Sequence, residues 1–191
     1  MKCENDKAIS DYTRAIKLNP KDSDAYCNRG VIYGDKGEHK KAVPDFTMAI
    51  KLRPKYAKAY YNRGVSYGEQ GDYDKAITDY TKAIMLNPKD SDAYCNRGFA
   101  YGMKGEHEKA VTDYIRAIML NPKDATAYYN RGVSYGRTGE QEEAVSDFTM
   151  AIKLRPKYAK AYYNRGVIYD EKGEHKKAES DFRNARELGL A

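Results

Sequence analysis

AYCNRG at residues 25–30 returns as AYYNRG at 59–64, AYCNRG at 93–98, AYYNRG at 127–132 and AYYNRG at 161–166, each copy 34 residues after the one before. A period of this size marks a supersecondary unit that cannot bury its apolar face alone and does so by stacking on its neighbours. With Ser23 as position 1, the units are 23–56, 57–90, 91–124, 125–158 and 159–191, and residues 1–22 supply the second half of a preceding unit. The chain is then one domain, 1–191, built from a single repeated plan.

The plan can be read from what recurs. Position 4 is Tyr26, Tyr60, Tyr94, Tyr128 and Tyr162; position 8 is Gly30, Gly64, Gly98, Gly132 and Gly166; position 11 is Tyr33, Tyr67, Tyr101, Tyr135 and Tyr169. Spacings of i, i+4 and i+7 put these on one helix face, so both tyrosine rows are expected in the core. Glycine within a helix costs about 1 kcal/mol relative to alanine, so its return in every copy points to a crossing where another helix comes close. Position 15 (Gly37, Gly71, Gly105, Gly139, Gly173) suits a helix C-terminus and turn. A second helix follows, opened by an acidic residue such as Glu38 or Asp72. Its inner face alternates small and aromatic residues (Ala42, Phe46, Ala49; then Ala76, Tyr80, Ala83), so the ring can fill the space opposite the glycine. Leu-x-Pro, as in Leu52 to Pro54, ends the unit. Pro44 sits within one second helix and is expected to weaken or bend it locally.

This pattern resembles the tetratricopeptide repeat, a 34-residue helix–turn–helix unit, over essentially the whole chain. The resemblance implies an all-α fold, a right-handed superhelical solenoid of antiparallel helix pairs, and a role in binding other proteins rather than in catalysis. Two positions depart from the family. Position 7, usually Leu, is Arg29, Arg63, Arg97, Arg131 and Arg165; position 23, often Tyr, is Asp45, Asp79, Asp113, Asp147 and Asp181. An arginine in a helix interface is tolerated when paired, so the departures are expected to compensate as Arg–Asp pairs.

The two ends differ. Where earlier second helices carry Val43 or Ile50, the last carries Glu179 and Arg186, the mark of a polar cap. At the other end Ala8, Tyr12 and Ala15 lack a covering first helix; either the natural protein extends upstream or that end meets another molecule, homo-oligomerisation among the options.

Chemistry is sparse. His39, His107 and His175 fall at position 17 of alternate units, which helix packing at 8–10 Å sets roughly 20 Å apart, too far to share a metal held at about 2 Å. The same spacing excludes a Cys27–Cys95 disulfide. No phosphate-binding, zinc-protease or nucleophile-elbow motif occurs. No cofactor, metal or catalytic residue is expected, and the chain is read as a non-enzyme. Its start, MKCENDKAIS, lacks the apolar core of a secretory signal, and Cys3 lacks the apolar stretch of a lipid-attachment site. No run approaches the roughly 20 apolar residues of a membrane span, so the default compartment is the cytoplasm and no membrane insertion is expected.

What remains is the groove. In the family, first helices expose positions 2, 5, 6, 9, 12 and 13 on the concave face. Here position 6 is Asn28, Asn62, Asn96, Asn130 and Asn164. A carboxamide offers donor and acceptor together and can pair with a peptide backbone without reading side chains. With helix pairs about 10 Å apart and an extended strand rising about 3.3 Å per residue, one asparagine would meet roughly every third ligand residue. The alternative is that these side chains bond neighbouring helices. Around them lie Val65, Phe99 and Val133 at position 9, Tyr61, Tyr129 and Tyr163 at position 5 as rigid anchors, and Lys58 and Lys160 at position 2. Cys27 and Cys95 take position 5 elsewhere.

The net charge of +6 invites nucleic acid. The concave face, however, carries Asp24, Asp35, Glu69, Asp92, Asp170 and Glu171 against Lys58, Arg137 and Lys160, so no specific nucleic-acid binding is expected. The family's carboxylate clamp for acidic chaperone tails is incomplete as well: its Lys-x-x-x-Arg pair is missing, since Asn62 and Asn164 follow Lys58 and Lys160. The expected partner is a protein or peptide of unspecified identity held in an extended form. The alternatives are a self-assembling module joined through the uncovered N-terminal end and, behind it, a co-chaperone binding a chaperone tail.

Overall fold

A computed structural model describes residues 2–190, apart from the side chains of Lys2 and Cys3. Among the described residues all regular structure is helical: α1 (Lys2–Leu18), α2 (Ser23–Asp35), α3 (His39–Leu52), α4 (Ala57–Glu69), α5 (Tyr73–Leu86), α6 (Ser91–Met103), α7 (His107–Leu120), α8 (Ala125–Thr138), α9 (Gln141–Leu154), α10 (Ala159–Glu171) and α11 (His175–Glu187). The chain divides into two compact units, Met1–Ala100 and Tyr101–Ala191, the division falling within α6. In the first, α1 to α4 each pack on the next helix; in the second, α7 to α10 do the same. The helices are those the 34-residue plan predicts.

Each hairpin turns on its glycine. Gly37, Gly71, Gly105, Gly139 and Gly173 have φ between +73° and +93°, backbone that side-chain-bearing residues rarely adopt. The position 8 glycines serve close approach instead. A methyl at Gly30 would stand 2.8 Å from Phe46, at Gly64 2.8 Å from Tyr80, at Gly132 2.9 Å from Phe148 and at Gly166 2.9 Å from Phe182. The ring lies against bare backbone, and Ala42, Ala49, Ala76, Ala144 and Ala151 close the seam with essentially no exposure.

Arginine and aspartate pair within the hairpin in four of the repeats. Arg29 grips Asp45 through Nε and Nη2 at 2.8 and 2.7 Å, and Arg63–Asp79, Arg131–Asp147 and Arg165–Asp181 repeat the geometry at 2.7 and 2.8 Å. The four aspartates are buried, and the bidentate fork satisfies both carboxylate oxygens. The remaining guanidinium nitrogen reaches back to the preceding repeat, Arg29 to Thr13, Arg63 to Thr47, Arg97 to Thr81 and Arg165 to Thr149. The pair thus holds both the hairpin and the stack.

Two expectations need correction. The tyrosines of positions 4 and 11 are half-buried, not core: Tyr60 and Tyr67 flank Arg63 with ring centroids 5.8 and 5.9 Å from its guanidinium, roofing the ion pair at the edge of the seam. Glu38 precedes α3 without capping it, because its carboxylate is drawn to Lys36 and Lys41 at 3.2 and 2.7 Å. Pro44 lies inside α3, which spans 14 residues as α5 does, and its ring is exposed.

At the first end Ala8, Tyr12 and Ala15 are half-buried, whereas their equivalents Ala42, Phe46 and Ala49 are at most 1% exposed. At the last, Glu179 and Arg186 are both exposed. Cys3 carries the expectation about lipid attachment and lies outside the described side chains. No described helix is long and apolar enough to cross a membrane.

Candidate peptide-binding groove

The five asparagines occupy the same turn of α2, α4, α6, α8 and α10, and every one is half-exposed. Their side chains fall into two states. Asn96 donates through Nδ2 to the Tyr61 hydroxyl at 2.9 Å, and Asn164 donates to Tyr129 at 3.0 Å. Among the described residues Asn28, Asn62 and Asn130 make no side-chain hydrogen bond. The difference follows from position 5 of the preceding repeat, where a tyrosine supplies the hydroxyl and a cysteine, Cys27 or Cys95, does not.

That finding revises the tyrosine anchors. Position 5 faces the next helix pair rather than open solvent. Tyr61 is half-buried with its ring 5.9 Å from that of Tyr80, and Tyr129 lies 5.8 Å from Phe148 and 4.8 Å from Tyr158. Burial pushes the Tyr61 phenol up to about 12, with the carboxylates of Asp92 and Asp90 adding to it, and burial likewise raises Tyr129. These two tyrosines orient asparagines. Only Tyr163, 46% exposed, presents its ring as an anchor would. Cys27 and Cys95 are buried free thiols, and burial raises the Cys27 thiol.

Of the other predicted site residues, Phe99 is 48% exposed, Val65 and Val133 are half-buried, and Lys58 and Lys160 are exposed. In unit 1 Lys58 shares its helix with Asn62 and Val65; in unit 2 Lys160 shares α10 with Tyr163 and Asn164. The charge reading changes at Asp24. Arg53 holds its carboxylate in a fork at 3.0 and 2.6 Å and the Tyr56 hydroxyl donates to it at 2.6 Å. These bonds hold the Asp24 carboxyl below the usual carboxylate range. Asp24 is therefore spoken for, while Asp35, Glu69 and Asp92 remain exposed carboxylates of unit 1. In unit 2, Asp170 lies 2.8 Å from His175 and Glu171 accepts from Gln141 at 3.1 Å.

The Asp24–Arg53–Tyr56 contact was missed from sequence, although a signal existed. The inter-repeat linkers come in two kinds, LNPKD (18–22, 86–90, 120–124) and LRPKY (52–56, 154–158), and Arg and Tyr always arrive together. Among the described residues no three His, Cys, Asp or Glu side chains gather as a metal site would require.

Tetratricopeptide repeat models match residues 23–56, 57–90, 125–158 and 159–188, a further such model matches 79–112, and a TPR repeat model matches 4–37 and 103–139. The chain belongs to the tetratricopeptide repeat family. Among solved structures it is similar to MamA, 29% identical over 83% of this chain and 93% of that one with a TM-score of 0.79. It is also similar to YrrB, described as a TPR protein with an unusual peptide-binding site, 27% identical over 93% of this chain and 92% of that one, TM-score 0.80. A MamA from Desulfovibrio magneticus RS-1, 23% identical over 87% of this chain and 94% of that one, TM-score 0.82, shares the fold. No curated protein matches the sequence.

Proposed function

We propose that this chain is a protein-interaction scaffold that captures an extended segment of a partner along its first helices, the segment's backbone amides meeting the asparagine carboxamides. The observation that carries the reading is the set of half-exposed asparagines at one structural position, with hydrogen-bonding capacity left over in each. A carboxamide has two N–H groups and an acceptor oxygen. Asn96 and Asn164 spend one N–H on tyrosine and keep the rest; Asn28, Asn62 and Asn130 keep everything. Tyr61 and Tyr129 act here as positioning residues, fixing a carboxamide before the ligand arrives and so lowering the ordering cost of binding. In unit 1 Phe99 offers exposed apolar surface to the partner's side chains, with Val65 half-buried and Lys58 as a cation; in unit 2 Tyr163, Val133 and Lys160 take the same roles. The likeness to YrrB, a peptide binder by its description, supports the same reading.

Self-association through the half-covered face of α1 is the competing account, and the two separate by experiment. Peptides selected from a display library on the intact chain should lose about fivefold to a hundredfold in affinity for an Asn62→Ala/Asn96→Ala double variant, two carboxamide contacts at ~0.5–1.5 kcal/mol each being removed. Light scattering of that variant should match the parent. Undiminished capture by the double variant would remove the asparagine mechanism.

A further inference from the structure

Residues 45–65 and 147–167 are identical, DFTMAIKLRPKYAKAYYNRGV in both places. Each copy follows a first helix of the same design, α2 in one case and α8 in the other, yet position 2 differs: Asp24 in α2, Thr126 in α8. In the first copy this frame grips a carboxylate, with Arg53 forked onto Asp24 and the Tyr56 hydroxyl completing the set. Lys58 stands close enough to add its charge. The second copy has the same donors at the same sequence spacing, Arg155, Tyr158 and Lys160, and its arginine and tyrosine keep the same relation. The Arg155 guanidinium lies 4.6 Å from the Tyr158 ring centroid, against 4.4 Å for Arg53 and Tyr56. What the second frame lacks is the carboxylate. Thr126 takes a single bond from Arg155 at 3.3 Å and lies beside the Tyr158 hydroxyl, leaving most of the fork unused.

We propose that Arg155, Tyr158 and Lys160 form a carboxylate-binding site for the partner, the place that Asp24 fills from within the chain at the equivalent junction. The protein itself shows what this arrangement binds. Arg155 and Lys160 are exposed, so an incoming group has access. Bidentate guanidinium pairing selects a planar oxyanion, and the tyrosine hydroxyl adds a third donor from one side. One further difference sharpens the site: Cys27 beside Tyr56 becomes Tyr129 beside Tyr158, and the two rings meet at a tilt of 35° with centroids 4.8 Å apart. The Tyr129 hydroxyl meanwhile accepts from Asn164, so the carboxylate site and one asparagine of the row adjoin through a shared tyrosine. An acidic group held at Arg155 would set the register of the segment lying on Asn164.

The proposal names one chemical group of the partner and rests on the groove reading for where that group comes from. Its test uses probes too short to span the asparagines, so its failure leaves that reading standing. The isotopically labelled chain is titrated by NMR with three peptides: capped pentaglycine with a central aspartate, the same with a central asparagine, and N-acetylated pentaglycine with a free C-terminal carboxylate. Saturable shifts at the Thr126, Tyr158 and Lys160 amides are expected from a carboxylate peptide and not from the asparagine control. Which of the two carboxylate peptides acts tells an acidic side chain from a chain end. Thr126→Asp should supply an internal carboxylate and weaken binding about tenfold or more. Asp24→Thr should open the first frame and bring matching shifts at Tyr56 and Lys58. The proposal is overturned if neither carboxylate peptide exceeds the control, if Thr126→Asp binds as the parent does, or if Asp24→Thr gains nothing.

Discussion

Replacing Gly64 by alanine separates two forces that act on the same atom. Helix propensity favours the change by about 1 kcal/mol. Packing opposes it: the new methyl would stand 2.8 and 2.9 Å from Cε1 and Cδ1 of Tyr80 and 3.3 Å from the Ala76 carbonyl oxygen, where ordinary contact begins near 3.4 Å. The ring has little room to retreat, since Tyr80 is 4% exposed and Tyr61 lies behind it. Overpacking a filled core costs about 1–3 kcal/mol; with two contacts under 3 Å the upper half of that range applies. The net is a loss of about 1–2 kcal/mol, or about 2–8 °C in Tm for a chain of this size. Gly68 provides the control. It lies one turn further along α4, and a methyl there meets nothing nearer than the Tyr80 hydroxyl at 3.8 Å. Gly68→Ala should therefore stabilise, by up to about 1 kcal/mol. Thermal and urea unfolding followed by circular dichroism read both variants, and in a Tyr80→Leu background the Gly64→Ala penalty should shrink or vanish. If Gly64→Ala raises the midpoint as Gly68→Ala does, the helix pairs are not held at a ring-to-backbone crossing and the account of the hairpin is wrong.

Other consequences follow from the same contacts. Asp79→Ala strands the Arg63 guanidinium with Thr47 as its remaining partner and should cost about 2–3 kcal/mol in urea unfolding, below the full cost of a buried pair because Arg63 is partly solvated; a loss under 0.5 kcal/mol would mean the pair is ornamental. The Tyr61 phenol is raised by burial to about 12 from an ordinary value near 10. Folding therefore favours its neutral form, a contribution fully present below pH 10 and lost as pH rises through 12. Absorbance titration at 295 nm should show Tyr61→Phe removing one late-ionising phenol and none near pH 10. Because Asn164 donates to the Tyr129 hydroxyl and eases its ionisation, Asn164→Ala should raise the Tyr129 pKa further, and an unchanged NMR titration of that ring would argue against the bond.

Much of this molecule can be read from one motif and its period. The glycine of AYYNRG and the aromatic sixteen residues later are complementary in size, so Gly30 with Phe46 and Gly64 with Tyr80 were legible as one crossing. The arginine and aspartate departures were legible for a like reason, since each is costly alone and tolerable together. The facing of position 5 was not. One residue separates Tyr61 from the exposed side of α4, and whether the neighbouring helix covers it depends on how adjacent pairs tilt, which the spacing of residues does not encode. Given that facing, Asn96 and Asn164 meet the hydroxyls of Tyr61 and Tyr129, while Asn62 follows Cys27 and meets none. Asp24 was counted as a free groove charge because its partners, Arg53 and Tyr56, lie 29 and 32 residues on, beyond any local rule.

The asparagine mechanism is tested most directly by the carboxamide signals themselves. With a selected peptide bound, the side-chain amide resonances of Asn28, Asn62, Asn96, Asn130 and Asn164 in nitrogen-15 NMR are expected to include several that shift and gain protection from exchange, Asn62 among them. Binding that moves backbone signals elsewhere and leaves all five carboxamides where they were would contradict the account.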